Sequence, residues 1–126
     1  RRRQIASMYH EALKDIEDLI LPPAPDADER HYDIYQNYEL ESGHRDALKN
    51  YLADCGVGTI IQWAGKAVHQ FKGLGFDHVR LPVVEKMTSR FLMLPMHTAL
   101  LDDDVSYVCD CIRKFYEEKL NVALDR

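Results

Sequence analysis

Ile5, Met8, Tyr9, Ala12, Leu13, Ile16 and Leu19 recur at three- and four-residue steps, the spacing that gathers apolar side chains on one side of an α-helix. The pattern predicts a helix over roughly the first 18 residues. Pro22, Pro23 and Pro25 bar its continuation, so Leu21 to Arg30 reads as an acidic, proline-rich connector too short to separate two domains. Alternation follows. Tyr32, Ile34, Gln36, Tyr38 and Leu40 fall on one face, and Asp33, Tyr35, Asn37, Glu39 and Glu41 on the other, which predicts a strand with one drier side. Ser42 and Gly43 end it, with Ser42 placed to cap the next helix.

That helix carries Leu48, Tyr51, Leu52 and Cys55 as its buried stripe, and Gly56 stands where a left-handed C-terminal cap is expected. A β-branched second strand, Val57 to Ile61, runs into a loop from Gln62 to Arg80 that holds Gly65, Gly73 and Gly75 and one short helical turn. Pro82 suits the first turn of a third helix, with Val83, Val84 and Met87 inward. Phe91 to Leu94, closed by Pro95, reads as a third strand. Asp102, Asp103 and Asp104 open the last helix, where negative charge opposes the positive end of the dipole, and Val105, Val108, Cys109, Ile112, Phe115 and Tyr116 form its inner face. The order helix, strand, helix, strand, helix, strand, helix describes a small two-layer α+β unit, about three strands with helices on one face. The other sheet face is left for a partner domain or subunit. The expected organisation is a linking helix over residues 1–20 and an α+β unit over residues 31–126.

Composition narrows the function. With 46% hydrophobic residues in 126, the chain can bury a core. A net charge of −5 argues against a nucleic-acid-binding domain. Arg1 to Arg3 form the one dense basic cluster, read as a solvated helix start or a phosphate contact. No apolar run approaches the roughly 18 residues of a membrane span, and no signal peptide is visible. The odd set Cys55, Cys109 and Cys111 points to reduced thiols in a cytoplasmic protein. Cys109 and Cys111 lie two apart on a helix and face different sides, which disfavours a disulfide or a shared metal. The histidines at 10, 31, 44, 78 and 97 show no metal-ligand spacing. The chain begins in mid-helix without an initiator methionine and stops soon after a helix, the pattern expected of a domain excised from a larger protein.

The candidate chemistry sits after the second expected strand, where an amide, an indole, an ammonium and an imidazole follow one another as Gln62, Trp63, Lys66 and His69. Polar and aromatic groups clustered at a strand end are a common way to build a ligand site. Trp63 reads as a stacking platform for a sugar or base, or as an indole of the core or a domain interface. Lys66 reads as a partner for an anionic group and Gln62 as a hydrogen-bonding partner for a ligand, or both as solvated surface. His69 reads as a substrate contact or as a polar group satisfied inside the fold. Lys66 as a Schiff-base nucleophile needs desolvation that its glycine-rich surroundings do not promise.

Four segments carry a resemblance. They are Arg1-Arg-Arg-Gln-Ile-Ala-Ser-Met-Tyr9; His44 through Thr59; Leu81-Pro-Val-Val-Glu85 with Phe91-Leu-Met-Leu-Pro-Met96; and Asp102-Asp-Asp-Val-Ser-Tyr-Val108. In that order and spacing the chain resembles the C-terminal small domain of the DegT/DnrJ/StrS family of pyridoxal-phosphate-dependent nucleotide-sugar aminotransferases. Gln62-Trp63-Ala64 stands where the family commonly has His-Tyr-Pro, and Val68-His69 where it has Leu-His.

The resemblance implies the small domain of a fold-type I aminotransferase, the back third of a longer enzyme. The cofactor, pyridoxal phosphate, would be held on a lysine of a large domain absent here, so no catalytic residue is assigned to this segment and the segment alone is expected to be inactive. An amino group would pass from a donor such as glutamate to a nucleotide-linked keto sugar, in polysaccharide biosynthesis. The small domain would shape the sugar pocket, with Gln62, Trp63, Lys66 and His69 as its substrate-binding candidates. The enzyme would be a cytoplasmic homodimer. A pyridoxal-phosphate-dependent sugar dehydratase and a non-catalytic α+β interaction module are the alternatives.

Overall fold

A computed structural model describes the backbone of residues 1–124 and the side chains of residues 1–119. The expected α+β unit extends to residue 126, and positions 125 and 126 lie outside the described residues. The elements are α1 (Arg2–Leu13), β1 (Leu19–Ile20), β2 (Tyr38–Ser42), α2 (Arg45–Asp54), α3 (Pro82–Arg90), β3 (Phe91–Leu94) and α4 (Asp102–Leu124). Two short turns, Gln62–Gly65 and Val68–Gln70, lie between α2 and α3. The sheet has the order β1-β2-β3, antiparallel throughout, with Tyr38 opposite Leu94 and Leu40 opposite Leu92.

The core follows from period-two burial meeting period-3.6 burial. Tyr38, Leu40 and Ser42 from β2 and Leu92 and Leu94 from β3 are buried. They join Ile5, Ala6, Tyr9 and Leu13 of α1, Leu48 and Leu52 of α2, and the whole expected inner face of α4 from Val105 to Tyr116. Tyr9 packs on Tyr38 with ring centroids 4.9 Å apart, and its hydroxyl donates to Pro95 O at 2.9 Å. Burial pushes the Cys109 thiol up to about 12, beside Tyr9 and Tyr38. Cys111 turns the other way, toward Cys55 and Tyr107, as their separation by two residues requires.

Several expectations are corrected, most of them by a competing use of backbone hydrogen bonds. The first helix stops at Leu13 rather than near residue 18, because Leu19 and Ile20 pair with Ser42 and Glu41 as an edge strand. The strand expected from Tyr32 forms only from Tyr38. Carbonyls that would have built its ladder are taken by guanidinium groups: Arg2 donates to Tyr35 O at 3.2 Å and Gln36 O at 2.8 Å, and Arg3 to Asp33 O at 2.8 Å. The Asp33 side chain accepts the Tyr35 N–H at 2.7 Å, and Tyr35 adopts φ +49°. Tyr35, expected opposite Tyr38, is therefore the buried one, while Ile34 is 61% exposed. Arg1 to Arg3, read as a solvated helix start or a phosphate contact, are engaged by the chain itself, with Arg1 still exposed. Arg1 donates to Leu100 O at 2.6 Å and pairs with Asp102 at 2.7 Å.

The strand expected over Val57–Ile61 contributes one bridge, Ile60 to Met93. Its start is used up capping α2: the Gly56 N–H reaches Ala53 O at 2.9 Å and the Val57 N–H reaches Leu52 O at 2.8 Å, with Gly56 at φ +78° as a left-handed cap requires. Finally, Val83, Val84 and Met87 do not face inward. No residue of α3 is buried, and Val83 is 72% exposed. Ser42 belongs to β2 and caps no N-terminal helix residue by side chain, although its Oγ accepts the His44 N–H at 2.9 Å.

One polar knot lies at the edge of this core. Asp18 Oδ2 accepts from Tyr116 OH at 2.8 Å, Ser42 Oγ at 3.2 Å and the Gly43 N–H at 3.0 Å. A side chain at Gly43 would bring a Cβ 2.5 Å from Asp18 Oδ1, so any larger residue there would have to displace the Asp18 carboxylate. Burial raises the Tyr116 hydroxyl well above the ordinary tyrosine range and keeps it a donor. Tyr116→Phe removes a hydrogen bond to a carboxylate and should cost about 1.5–3 kcal/mol, read as a lower urea midpoint at unchanged slope.

Candidate functional site

The four candidate residues lie on the segment that leaves the Ile60–Met93 bridge and returns at α3. The Ile60 N–H donates to Met93 O at 3.2 Å and the Met93 N–H to Ile60 O at 2.9 Å, fixing the entry. Immediately afterwards Trp63, Ala64 and Gly65 adopt φ of +53°, +54° and +68°. Three successive left-handed residues are rare, and the two that carry a Cβ cost roughly 1–2 kcal/mol each. The turn is closed by the Lys66 N–H on Trp63 O at 3.1 Å. It is wedged against the body of the domain at Gly65, where an added Cβ would lie 3.2 Å from Arg45 Nη1 and 3.4 Å from Thr88 O. The same Arg45 Nη1 donates to Thr88 O at 3.3 Å.

The geometry separates the four side chains. Trp63 is 78% exposed, an indole held out on a strained turn rather than packed in the core. Lys66 is exposed and makes no ion pair among the described residues. Gln62 is half-buried at the start of the turn and has no side-chain hydrogen bond among the described residues. His69 turns inward: its side chain is 7% exposed and its Nε2 lies 2.9 Å from Glu85 Oε1. The Gln70 side chain accepts the Ala67 N–H at 2.9 Å, securing the turn around His69. Indole and ammonium thus face out, while the imidazole turns in toward Glu85.

The surroundings add a second character. Val68, Phe71, Leu74, Phe76, Leu81, Val83, Val84 and Met87 are all exposed, a density of apolar surface unusual for a free face. Within residues 62–90, Lys66, Lys72, Arg80, Lys86 and Arg90 stand against only Asp77 and Glu85, a basic stretch in an acidic chain. A concavity of about 790 Å³, lined by Asp15–Asp18, His44 and the Arg113–Lys119 part of α4, shares no lining residue with this segment.

The family model for the DegT/DnrJ/EryC1/StrS aminotransferases matches residues 1–113. The chain belongs to that family. Among curated relatives of this aminotransferase segment are the "pleiotropic regulatory protein" of Geobacillus stearothermophilus, 30% identical over 119 residues, and the dTDP-4-dehydro-2,3,6-trideoxy-D-glucose 4-aminotransferase of Saccharopolyspora spinosa, 30% identical over 122 residues. These alignments take in 92% and 96% of the chain but 32% and 31% of the relatives, so the chain spans about a third of their length. The crystal structure of a DegT DnrJ EryC1 StrS aminotransferase from Brucella abortus superposes with a TM-score of 0.75 at 34% identity, over 90% of this chain and 30% of that one. The α+β sheet-and-helix architecture is that of a fold-type I aminotransferase domain.

Glu85 and Arg45 are the residues whose roles sequence reading missed. Both lie in segments that carry the family resemblance, but each acts through a group distant in sequence, His69 for Glu85 and the Thr88 carbonyl for Arg45. If the turn is held by tertiary contact against its own conformational preference, Ala64→Gly should raise stability by about 0.5–1 kcal/mol. Gly65→Ala should lower it by about 1–2 kcal/mol. Urea unfolding of the two variants measures both.

Proposed function

We propose that this chain is the small domain of a pyridoxal-phosphate-dependent enzyme that transfers an amino group from a donor such as glutamate to a nucleotide-linked keto sugar. In this reading residues 1–20 lead in from a larger cofactor-bearing domain and residues 31–126 form the unit that closes over the sugar pocket. The supporting observation is the outward-facing Trp63 on a turn of three left-handed residues, anchored at Ile60 and Gly65 and set in a basic, apolar segment. Strain that persists at an exposed aromatic residue is characteristic of a group shaped for contact with something else.

Each side chain has a role its setting supports. Trp63 offers a face for a sugar or base. Lys66, free of protein carboxylates among the described residues, offers its charge to a diphosphate. Gln62 offers an amide to hydroxyls. His69, engaged by Glu85, orders the turn behind them. The exposed apolar side chains from Val68 to Met87 fit a seam with the larger domain or with a second subunit, and the assembly we infer is a cytoplasmic homodimer.

Pyridoxal phosphate supplies the electron sink for amino transfer when bound. The lysine that carries it must be desolvated or set beside another cation, and none of the seven lysines of this chain is buried. These residues do not fit that role, so no chemical step is assigned to them, and the cofactor belongs to the part of the enzyme beyond this chain. The match to a protein named as a pleiotropic regulator, together with the open apolar face, favours as a second reading a related fold used for protein interaction.

The test is to purify the full-length protein and record its absorption spectrum. A visible cofactor band supports the first reading; a folded protein that takes up no pyridoxal phosphate removes it. In the active enzyme Trp63→Ala should raise KM for the sugar nucleotide about tenfold, the loss of one stacking contact of roughly 1–1.5 kcal/mol, with the cofactor spectrum unchanged. His69→Ala should act in the same direction. Unaltered steady-state kinetics for both variants would refute the site while leaving the family in place.

A further inference from the structure

Glu85 Oε1 stands at the meeting point of two chain segments. It lies 2.9 Å from His69 Nε2 and accepts the backbone N–H of Leu81 at 2.9 Å. These two donors bracket the segment Gln70–Arg80, which is exposed along almost its whole length and carries Phe71, Leu74 and Phe76 at its surface. Gly73 and Gly75, at φ +85° and +80°, provide its bends. Within this bracket, the polar side-chain contacts across the segment converge on that one oxygen.

An ionised carboxylate only accepts. The Leu81 N–H, the His69 imidazole and nearby positive charge hold the Glu85 carboxyl below the ordinary glutamate range, with the backbone hydrogen bond the largest cause. The ring must therefore be the donor, and Nε2 carries its proton. His69 Nδ1 has no protein partner among the described residues. In the neutral ring Nδ1 is then the hydrogen-bond acceptor.

We propose that Glu85 is a positioning residue: it fixes His69 with Nε2 protonated and Nδ1 free to accept from a ligand hydroxyl, and with the same oxygen it staples the exposed segment Gln70–Arg80 to the start of α3. The ligand class is a hydroxyl-rich molecule, which rests on reading this loop as facing a sugar nucleotide. Glu85 does not itself touch the substrate. It acts through His69 and through the path of the loop.

The experiment uses the full-length protein labelled with ¹⁵N at histidine. A one-bond Nε2–H correlation for His69, assigned by its loss in His69→Gln, is visible only while that proton is shielded from exchange. It should be present in the wild type, absent in Glu85→Ala and retained in Glu85→Gln, whose amide oxygen still accepts. The Leu81 amide should exchange at least about tenfold faster in Glu85→Ala. A role confined to capping α3 would change Leu81 alone, so a His69 signal that survives Glu85→Ala overturns the proposal. Should that variant not fold, Glu85→Asp, too short to reach both donors, replaces it with the same expected loss.

With a sugar nucleotide as probe, Glu85→Ala should lower kcat/KM about tenfold, and His69→Ala with Glu85→Ala should be no worse than His69→Ala alone. The spectroscopic result needs no substrate. A lost His69 signal with unchanged kinetics therefore upholds Glu85 as the anchor and counts against the sugar-nucleotide reading instead.

Discussion

Asp18 Oδ2 is the constraint on which the rest of the fold depends. Its three donors come from β2, from the turn that follows β2 and from the final helix, while Asp18 itself sits between α1 and β1. Four segments far apart in sequence meet at one oxygen. Asp18 is half-buried and lines the concavity beside α4, so its three donors fix the position of the carboxylate between these segments. Ser42 gives the same hydroxyl to three neighbours: it donates to Asp18, meets Tyr116 at 2.7 Å and accepts from the His44 N–H. That fixes where β2 ends and α2 begins, and through α2 it places Arg45 under the strained turn.

The molecule is divided in the way its burial is distributed. α1, α2, α4 and one face of the sheet are mutually sealed. α3 and the segment before it contribute no residue to the hydrophobic core and display most of the large exposed apolar residues. Two of the non-glycine residues with positive φ, Trp63 and Ala64, lie on that second side, in succession. The sealed side provides stability, and the aromatic and basic edge is left less committed. The contacts that hold the edge are few and specific, namely the Ile60–Met93 bridge, the Arg45 guanidinium on Thr88 O and the Glu85 oxygen. Their effect on the loop is one of position more than of stability.

Guanidinium groups play a similar part at the other end. Arg1 to Arg3 sit at the positive end of the α1 dipole, where cations are disfavoured. They are stabilised by the carbonyls of Asp33, Tyr35, Gln36, Met96 and Leu100 and by Asp26 and Asp102. Arg3 also lies over the Tyr32 ring, 4.1 Å from its centroid. A cluster that reads in sequence as a solvated helix start or a phosphate contact is a clasp for a connector that forms no sheet.

Periodicity alone determined the inner face of α4, the buried half of α1, the β2–β3 alternation after Tyr38, the left-handed cap at Gly56 and the proline start of α3, because those depend on neighbours three, four or two residues away. The family resemblance was equally legible, carried by segments whose order and spacing survive without any knowledge of their contacts. Tertiary structure alone decided the rest. It chose Leu19–Ile20 over Val57–Ile61 as the third strand, since an edge strand is specified by which backbone groups remain unpaired. It buried Tyr35 and exposed Ile34, since distant arginines had taken the carbonyls. It turned Trp63 outward and His69 inward from the same short stretch, since a left-handed turn propped by Arg45 and a carboxylate sixteen positions further on set directions that no local pattern encodes.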